Sequence, residues 1–373
     1  MTKRFLFFLF FLFRTLSIFS QTNDSNQILS AGDSIRIDII ESRFSDSIAL
    51  LNQQNEQLRK SRDAYNSGLL LLDSKNYIDA STYFTNAIKL DSIFSEAYYS
   101  RGRCYHMLNN ELAISDYLKA FQLDSSRLTP LYSLASFQFN FDKELAKETY
   151  NRIIVLDKEA DKAFAQLGVI AFLDKDYEKS EKFFTQSLSI NKTAYTLNDR
   201  GSSYRVLERF DLAIDDYLAA IDLNPDLAFV YNNLASVYVK IGKGDKALLY
   251  YNLAIEKDQD YAIAYNNKAS LLMENQEYKK AENAIQKALL INPKYAPAFN
   301  NRGVLNHNYK RYDDAITDFD KAIVLNRDYA KAYLNRGITK QMTRDENGAC
   351  LDWIKARELG IMMAKTYLAN DCE

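Results

Sequence analysis

Between Asp226 and Pro293 a stretch of 34 residues is written twice in succession. Ala228-Phe229-Val230-Tyr231-Asn232-Asn233-Leu234-Ala235 returns as Ala262-Ile263-Ala264-Tyr265-Asn266-Asn267-Lys268-Ala269, and Lys246-Ala247 returns as Lys280-Ala281. A self-match at this period marks a stacked array of short helical units, each burying its apolar face only against its neighbours. Laid over the whole chain, the period finds a small residue at Gly68, Gly102, Ala135, Gly168, Gly201, Ala235, Ala269, Gly303 and Gly337, at gaps of 33 or 34. A second small residue follows each, at Ala80, Ala113, Ala146, Ser180, Ala213, Ala247, Ala281, Ala315 and Ala349. A large one comes four positions later, at Phe84, Tyr117, Tyr150, Phe184, Tyr217, Tyr251, Ile285, Phe319 and Trp353.

The small residues let two helices of a unit come close, and the large residue is expected to fill the space between one unit and the next. Twenty-six Tyr and 22 Phe supply a long core, while 11 Gly and 4 Pro leave little for strands or flexible linkers. The class is therefore all-α. Because such an array has no size limit, the 373 residues read as one continuous domain and not as two or three globular ones. The net charge of −2 becomes −5 if Lys3, Arg4 and Arg14 leave with a leader, which argues against nucleic acid as the partner.

The pattern resembles the tetratricopeptide repeat family, whose unit is two antiparallel helices with small residues at positions 8, 20 and 27 and bulky ones at 4, 11, 17 and 24. The resemblance implies a right-handed α-solenoid of nine such pairs over residues 61–360. Position 27 agrees at Ala87, Ala120, Ala220, Ala254, Ala288, Ala322 and Ala356, with Ile153 and Ser187 departing. The usual proline at position 32 is kept only at Pro225 and Pro293, so repeats three and four are the least regular. The repeats starting at Ser95 and Leu128 are one residue short between their helices. Residues 348–360 resemble the closing repeat of exported tetratricopeptide proteins of the Bacteroidetes lineage. Gly360 is expected to stop the last second helix, and residues 361–373 to form a C-terminal capping helix that covers the ninth repeat with Ile361, Met362, Ala364, Tyr367 and Leu368.

Residues 1–20 carry a basic start, the apolar run from Phe5 to Phe13 and small residues before a polar junction, the parts of a signal peptide. Cleavage after Ser20 leaves no stable membrane insertion; an uncleaved anchor is the alternative. The chain is thus expected to be exported, to a periplasm, the cell envelope or the exterior. Residues 21–33 read as a disordered N-terminus. Residues 34–60 read as a capping helix or linker, begun by Ser45-Asp46-Ser47 and carrying Ile48, Leu51 and Leu58 on one side; it covers the end of repeat one or, alternatively, dimerises as a coiled coil.

Chemistry-bearing residues are sparse. His106 and His307, the only histidines, both fall at position 12, with no ligand partners at metal spacing. Cys104 reads as a buried thiol. The acidic pairs Asp215-Asp216 and Asp313-Asp314 read as equivalent places on second helices. With no phosphate loop and no nucleophile motif, no catalytic residue, metal or cofactor is expected.

Function is instead expected in a groove. In the resembled family, ligands are held by first-helix positions 2, 5, 6, 9, 12 and 13. Position 5 gives Tyr65, Tyr99 and Tyr132 early in the chain and Asn198, Asn232, Asn266 and Asn300 later; position 6 adds Asn233, Asn267, Asn301 and Asn335. The clamp by which some relatives hold a chaperone's C-terminal carboxylate is absent, because position 5 has no lysine and position 9 no asparagine. The position-6 amides read as a ladder for an extended peptide backbone, so changing Asn233, Asn267 and Asn301 to Ala is expected to abolish capture and leave melting nearly intact. The alternative is that they bond only within the repeats. Cys350 and Cys372 lie ten residues before and twelve after Gly360, so antiparallel helices bring them level and predict a disulfide, with two unpaired thiols as the alternative. The chain reads as a non-enzymatic scaffold for a peptide or protein partner in envelope assembly, or alternatively as a subunit docked by its convex face.

Overall fold

The computed structural model describes residues 31–372, so the leader expected at 1–20 and the segment 21–30 lie outside the described residues. These residues form nineteen helices with no strand among them, in two compact units. The first unit holds α1 (Ala31–Asp73), α2 (Tyr77–Leu90), α3 (Ser95–Met107) and α4 (Leu112–Leu123), which make repeats one and two. The second unit begins at Leu131, inside α5 (Thr129–Phe139). It continues with α6 (Lys143–Leu156), α7 (Asp161–Leu173), α8 (Tyr177–Ile190), α9 (Ala194–Val206), α10 (Phe210–Leu223), α11 (Ala228–Lys240) and α12 (Gly244–Lys257). Then come α13 (Ala262–Glu274), α14 (Tyr278–Ile291), α15 (Ala296–Asn308), α16 (Tyr312–Leu325), α17 (Ala330–Met342), α18 (Glu346–Glu358) and α19 (Ala364–Asp371). Each odd-numbered helix up to α17 packs against the even-numbered one after it.

The small and large series explain that pairing. A Cβ placed on Gly303 would lie 2.6 Å from Phe319, and one on Gly168 2.6 Å from Phe184. The ring at position 24 therefore lies over the bare backbone at position 8 of its own repeat, a correction to its expected place between repeats. All nine position-24 side chains are buried, and so are the departures Ile153 and Ser187. In every repeat but the third, the turn between the two helices closes through one residue in the left-handed region: Lys75, Asn109, Lys175, Glu208, Gly242, Gln276, Lys310 and Arg344. The next N–H then bonds back five residues, as from Asn76 to Leu71 O at 2.9 Å and from Asp176 to Ala171 O at 2.9 Å. Between repeats, the work expected of proline falls to Asp or Asn at the end of the second helix. Asp91, Asp124, Asp157, Asn224, Asp258, Asn292 and Asn326 each accept the N–H two residues on.

Two ends depart from the pattern. No Gly or Pro occurs between Gly32 and Gly68, and α1 runs unbroken into the first helix of repeat one. Ser47 caps nothing; its Oγ bonds back to Arg43 O at 2.7 Å in mid-helix. Residues 39–55 are exposed and cover no repeat, and burial begins at Ser61, whose Oγ donates to Ala87 O at 2.8 Å. At the other end Gly360 adopts φ +96° and stops α18. Helix α19 then lays Ala364, Tyr367 and Leu368 on the cluster around Trp353, with Tyr367 stacked on the indole at 5.0 Å. Ile361 joins them, while Met362 stays exposed in the turn.

Candidate functional site

In the second unit the first helices of neighbouring repeats touch one another along α7, α9, α11, α13, α15 and α17. Side chains at positions 5 and 6 meet at these contacts. Asn198, Asn232, Asn266 and Asn300 are buried. Each offers its Oδ1 to the amide at position 6 of the following repeat. Asn233 Nδ2 donates to Asn198 Oδ1 at 2.8 Å, Asn267 to Asn232 at 3.0 Å, Asn301 to Asn266 at 2.8 Å and Asn335 to Asn300 at 2.9 Å. Four amide bonds at a spacing of 35 thus tie repeats five to nine in register. Asn301 Nδ2 reaches Ser270 Oγ as well, at 2.9 Å.

The asparagines expected to face a peptide therefore first face each other, because position 5 of one repeat and position 6 of the next approach to hydrogen-bond distance. The inter-repeat bond uses one of the two N–H donors of Asn233, Asn267 and Asn335 and leaves their Oδ1 outside it. Position 2 adds an apolar row that the sequence reading did not single out. Tyr195 (59 % exposed), Phe229, Ile263 and Pro297 follow one another on repeats five to eight, Tyr195 stacked on Phe229 at 6.0 Å. The signal was available, since the other five repeats carry Arg, Glu, Thr, Lys and Lys there.

The three tyrosines are a different case. Tyr65 packs its ring 4.8 Å from Phe94 and 5.5 Å from Phe84 in the first unit, and Tyr99 lies 5.9 Å from Tyr117. Tyr132, in the second unit, is half-buried, and desolvation pushes its phenol up. The first two thus belong chiefly to the packing of repeats one and two.

A motif missed in the sequence recurs in four repeats. Arg101, Arg200, Arg302 and Arg336 stand just before the position-8 glycine and grip Asp116, Asp216, Asp318 and Asp352 through two nitrogens each, at 2.5–2.9 Å. All four carboxylates are buried. Arg before Gly with Asp fifteen or sixteen residues later was the legible signal. Arg101 and Arg200 also reach Thr85 and Thr185 of the preceding repeat, and Arg336 reaches Asp320. The two acidic pairs are not equivalent after all: Asp216 is held by Arg200, whereas Asp313 and Asp314 lie in the first turn of α16.

Hydrogen-bond partners also occupy the histidines. His106 Nδ1 is 3.2 Å from Tyr117 Oη, His307 Nδ1 is 2.9 Å from Thr339 Oγ1, and burial lowers both imidazoles. Cys104 is buried beside Leu72, Ala80 and Phe84, its thiol pushed up to about 11 by desolvation. No group of three His, Cys, Asp or Glu side chains among the described residues is placed to hold a metal ion. An open cleft of about 420 Å³ beside α6 to α8 is lined by Lys147, Asp174, Lys179 and Phe183 and brings no nucleophile to a base. No helix among the described residues is long and apolar enough to cross a membrane. Cys350 and Cys372 bring their sulfurs to bonding distance, with Cα atoms 5.8 Å apart.

Comparison with known proteins bears on the same repeats. Family models described as tetratricopeptide repeat match residues 161–193, 230–261, 262–295 and 296–329, and one described as TPR repeat matches 201–242. The DnaJ homolog subfamily C member 7 homolog of Dictyostelium discoideum is 27% identical over 220 residues, 56% of this chain and 36% of that protein. The chain spans about a third of the length of the curated relatives it matches. A chain of the APC/C hetero-tetramer Cut9–Hcn1 superposes with a TM-score of 0.56 at 14% identity, covering 84% of this chain and 76% of that one. A tetratricopeptide repeat protein from Parabacteroides merdae superposes with a TM-score of 0.55 at 18% identity, covering 64% and 96%. At these identities the superpositions show the fold.

Proposed function

We propose, since the chain is a tetratricopeptide repeat protein, that it is an exported, non-enzymatic scaffold that holds an extended peptide or protein segment along the first helices of repeats five to nine. The observation that carries the reading is the pairing of two rows on one wall. The apolar row of Tyr195 and Ile263, which are exposed, and Phe229 and Pro297, which are half-buried, runs beside amides that keep a carbonyl outside their inter-repeat bonds. Apolar contact supplies affinity, and the amides match the donors and acceptors of any peptide backbone. Peptide binding thus works on an already rigid ladder and needs no chemistry at the wall. The acidic balance disfavours nucleic acid, and the basic, apolar start of the chain supports export to the cell envelope.

Photo-crosslinking in cells tests the site. A crosslinker in place of Phe229 is expected to capture a partner that one in place of the exposed Leu249, on α12, does not. Capture from Leu249 alone would favour the second reading, a subunit docked by its second helices. Export is tested separately by sequencing the N-terminus of protein from fractionated cells: Gln21 in an envelope or secreted fraction is expected, and an intact start in the cytosol would refute it.

A further inference from the structure

Residues 39–60 of α1 stand outside the repeats, and along them Ile40, Phe44, Ile48, Leu51 and Leu58 fall at steps of four, four, three and seven. Those steps keep the five on one face of a helix. Each is 42 to 58 % exposed, as in a helix with nothing packed on it. A lone helical stretch of this length is marginal in water, so the face wants a cover. We propose that the cover is the same stretch of a second copy of this chain, paired antiparallel as a two-helix coiled coil.

Charge chooses the occupant and its direction. Glu41 and Arg59 each follow a stripe residue by one position, so both lie on the same flank of the stripe. In an antiparallel pair with Ile48 of one copy opposite Leu51 of the other, Phe44 lies opposite Asn55, and Ile40 with Leu58 and Glu41 with Arg59 come level to within one residue at both ends. A parallel pair would set this flank against the opposite one, Arg43, Ser47, Leu50 and Gln54, which offers Arg59 no carboxylate. Arg59 now bonds Glu56 within its own helix at 2.9 Å, an exposed pair that costs little to exchange. Asn55, the one polar residue in the seam, fixes this register. The stripe is short, so the dimer is weak and concentration-dependent.

Sedimentation of the purified protein is expected to show a dimer at micromolar concentration. Leu51→Glu is expected to raise the dissociation constant at least about a hundredfold by burying an unpaired charge, while the thermal unfolding of the repeats stays unchanged because Leu51 touches none of them. Arg59→Glu alone is expected to weaken the dimer roughly tenfold, and Glu41→Arg added to it to restore the dimer. On mild oxidation, a mixture of Ile48→Cys and Leu51→Cys proteins is expected to cross-link to each other in preference to like with like. A monomer at every concentration, as would follow if residues 1–30 or another protein cover the stripe, overturns the proposal. So does a charge swap that fails to restore the dimer, or preferential like-with-like cross-linking.

Discussion

Lys175 holds φ at +64° in the turn of repeat four, a conformation in which any Cβ presses on its own backbone. Glycine takes the same shape freely, and at the matching place in repeat six the chain does use Gly242, at φ +73°. Lys175→Gly is therefore expected to stabilise repeat four by up to about 1 kcal/mol, the relief of strain outweighing the looser unfolded chain. Urea denaturation of the two proteins checks the sign; a lower midpoint for the glycine variant would refute it. The Arg–Asp grips are the residue-scale feature that position-by-position reading overlooks, because neither member is small, large or periodic in all nine repeats. Only the pairing across fifteen or sixteen residues makes sense of them.

Among the helices, pairing was legible from the sequence. Small residues at a fixed spacing told which backbones approach, but not where the large ones go: the structure puts Phe319 on Gly303 of its own repeat and not between repeats. Hydrogen-bond direction was not legible. The recurrence of Asn every 34 residues was plain, but that position 6 meets position 5 of the preceding repeat depends on the offset between adjacent helices, which no single repeat encodes. The consequence reverses an expectation. Asn267→Ala strips the donor from the buried Oδ1 of Asn232 and is expected to cost about 1–3 kcal/mol at that junction. The triple change at Asn233, Asn267 and Asn301 is accordingly expected to lower melting and not to spare it. Hydrogen exchange across α11 to α15 reads the effect repeat by repeat; unchanged protection would show that the amides do not hold the repeats. The unbroken α1 has an equally local cause, since a helix without Gly or Pro has no reason to stop at an expected boundary.

For the molecule as a whole, the two ends differ: one is covered by its own chain and the other carries an uncovered helix. Helix α19 seals repeat nine with Tyr367 over Trp353, and the bridge from Cys350 to Cys372 would fasten it there. In an oxidising compartment that bridge is expected to add about 3 kcal/mol to the closing helix on the chain-entropy account. Thiol counting on the denatured, unreduced protein is expected to find one thiol, that of Cys104; three would sink the bridge. Sequence made this closure readable because Gly360 sets a turn between two cysteines at matched heights. The N-terminal end was not readable in the same way, because the same five apolar residues serve a cap or a seam equally well until their exposure is known.

The amide ladder carries one more consequence, for how such a chain can change in length. Every rung between repeats five and nine is the same bond, made by the same residue type at the same offset. Junctions of this kind are interchangeable. Remove residues 228–261 and Asn267 arrives where Asn233 stood, with Asn198 still offering its carbonyl. A gene that gained or lost one such stretch would encode a longer or shorter protein whose new joint needs no mutation to fit.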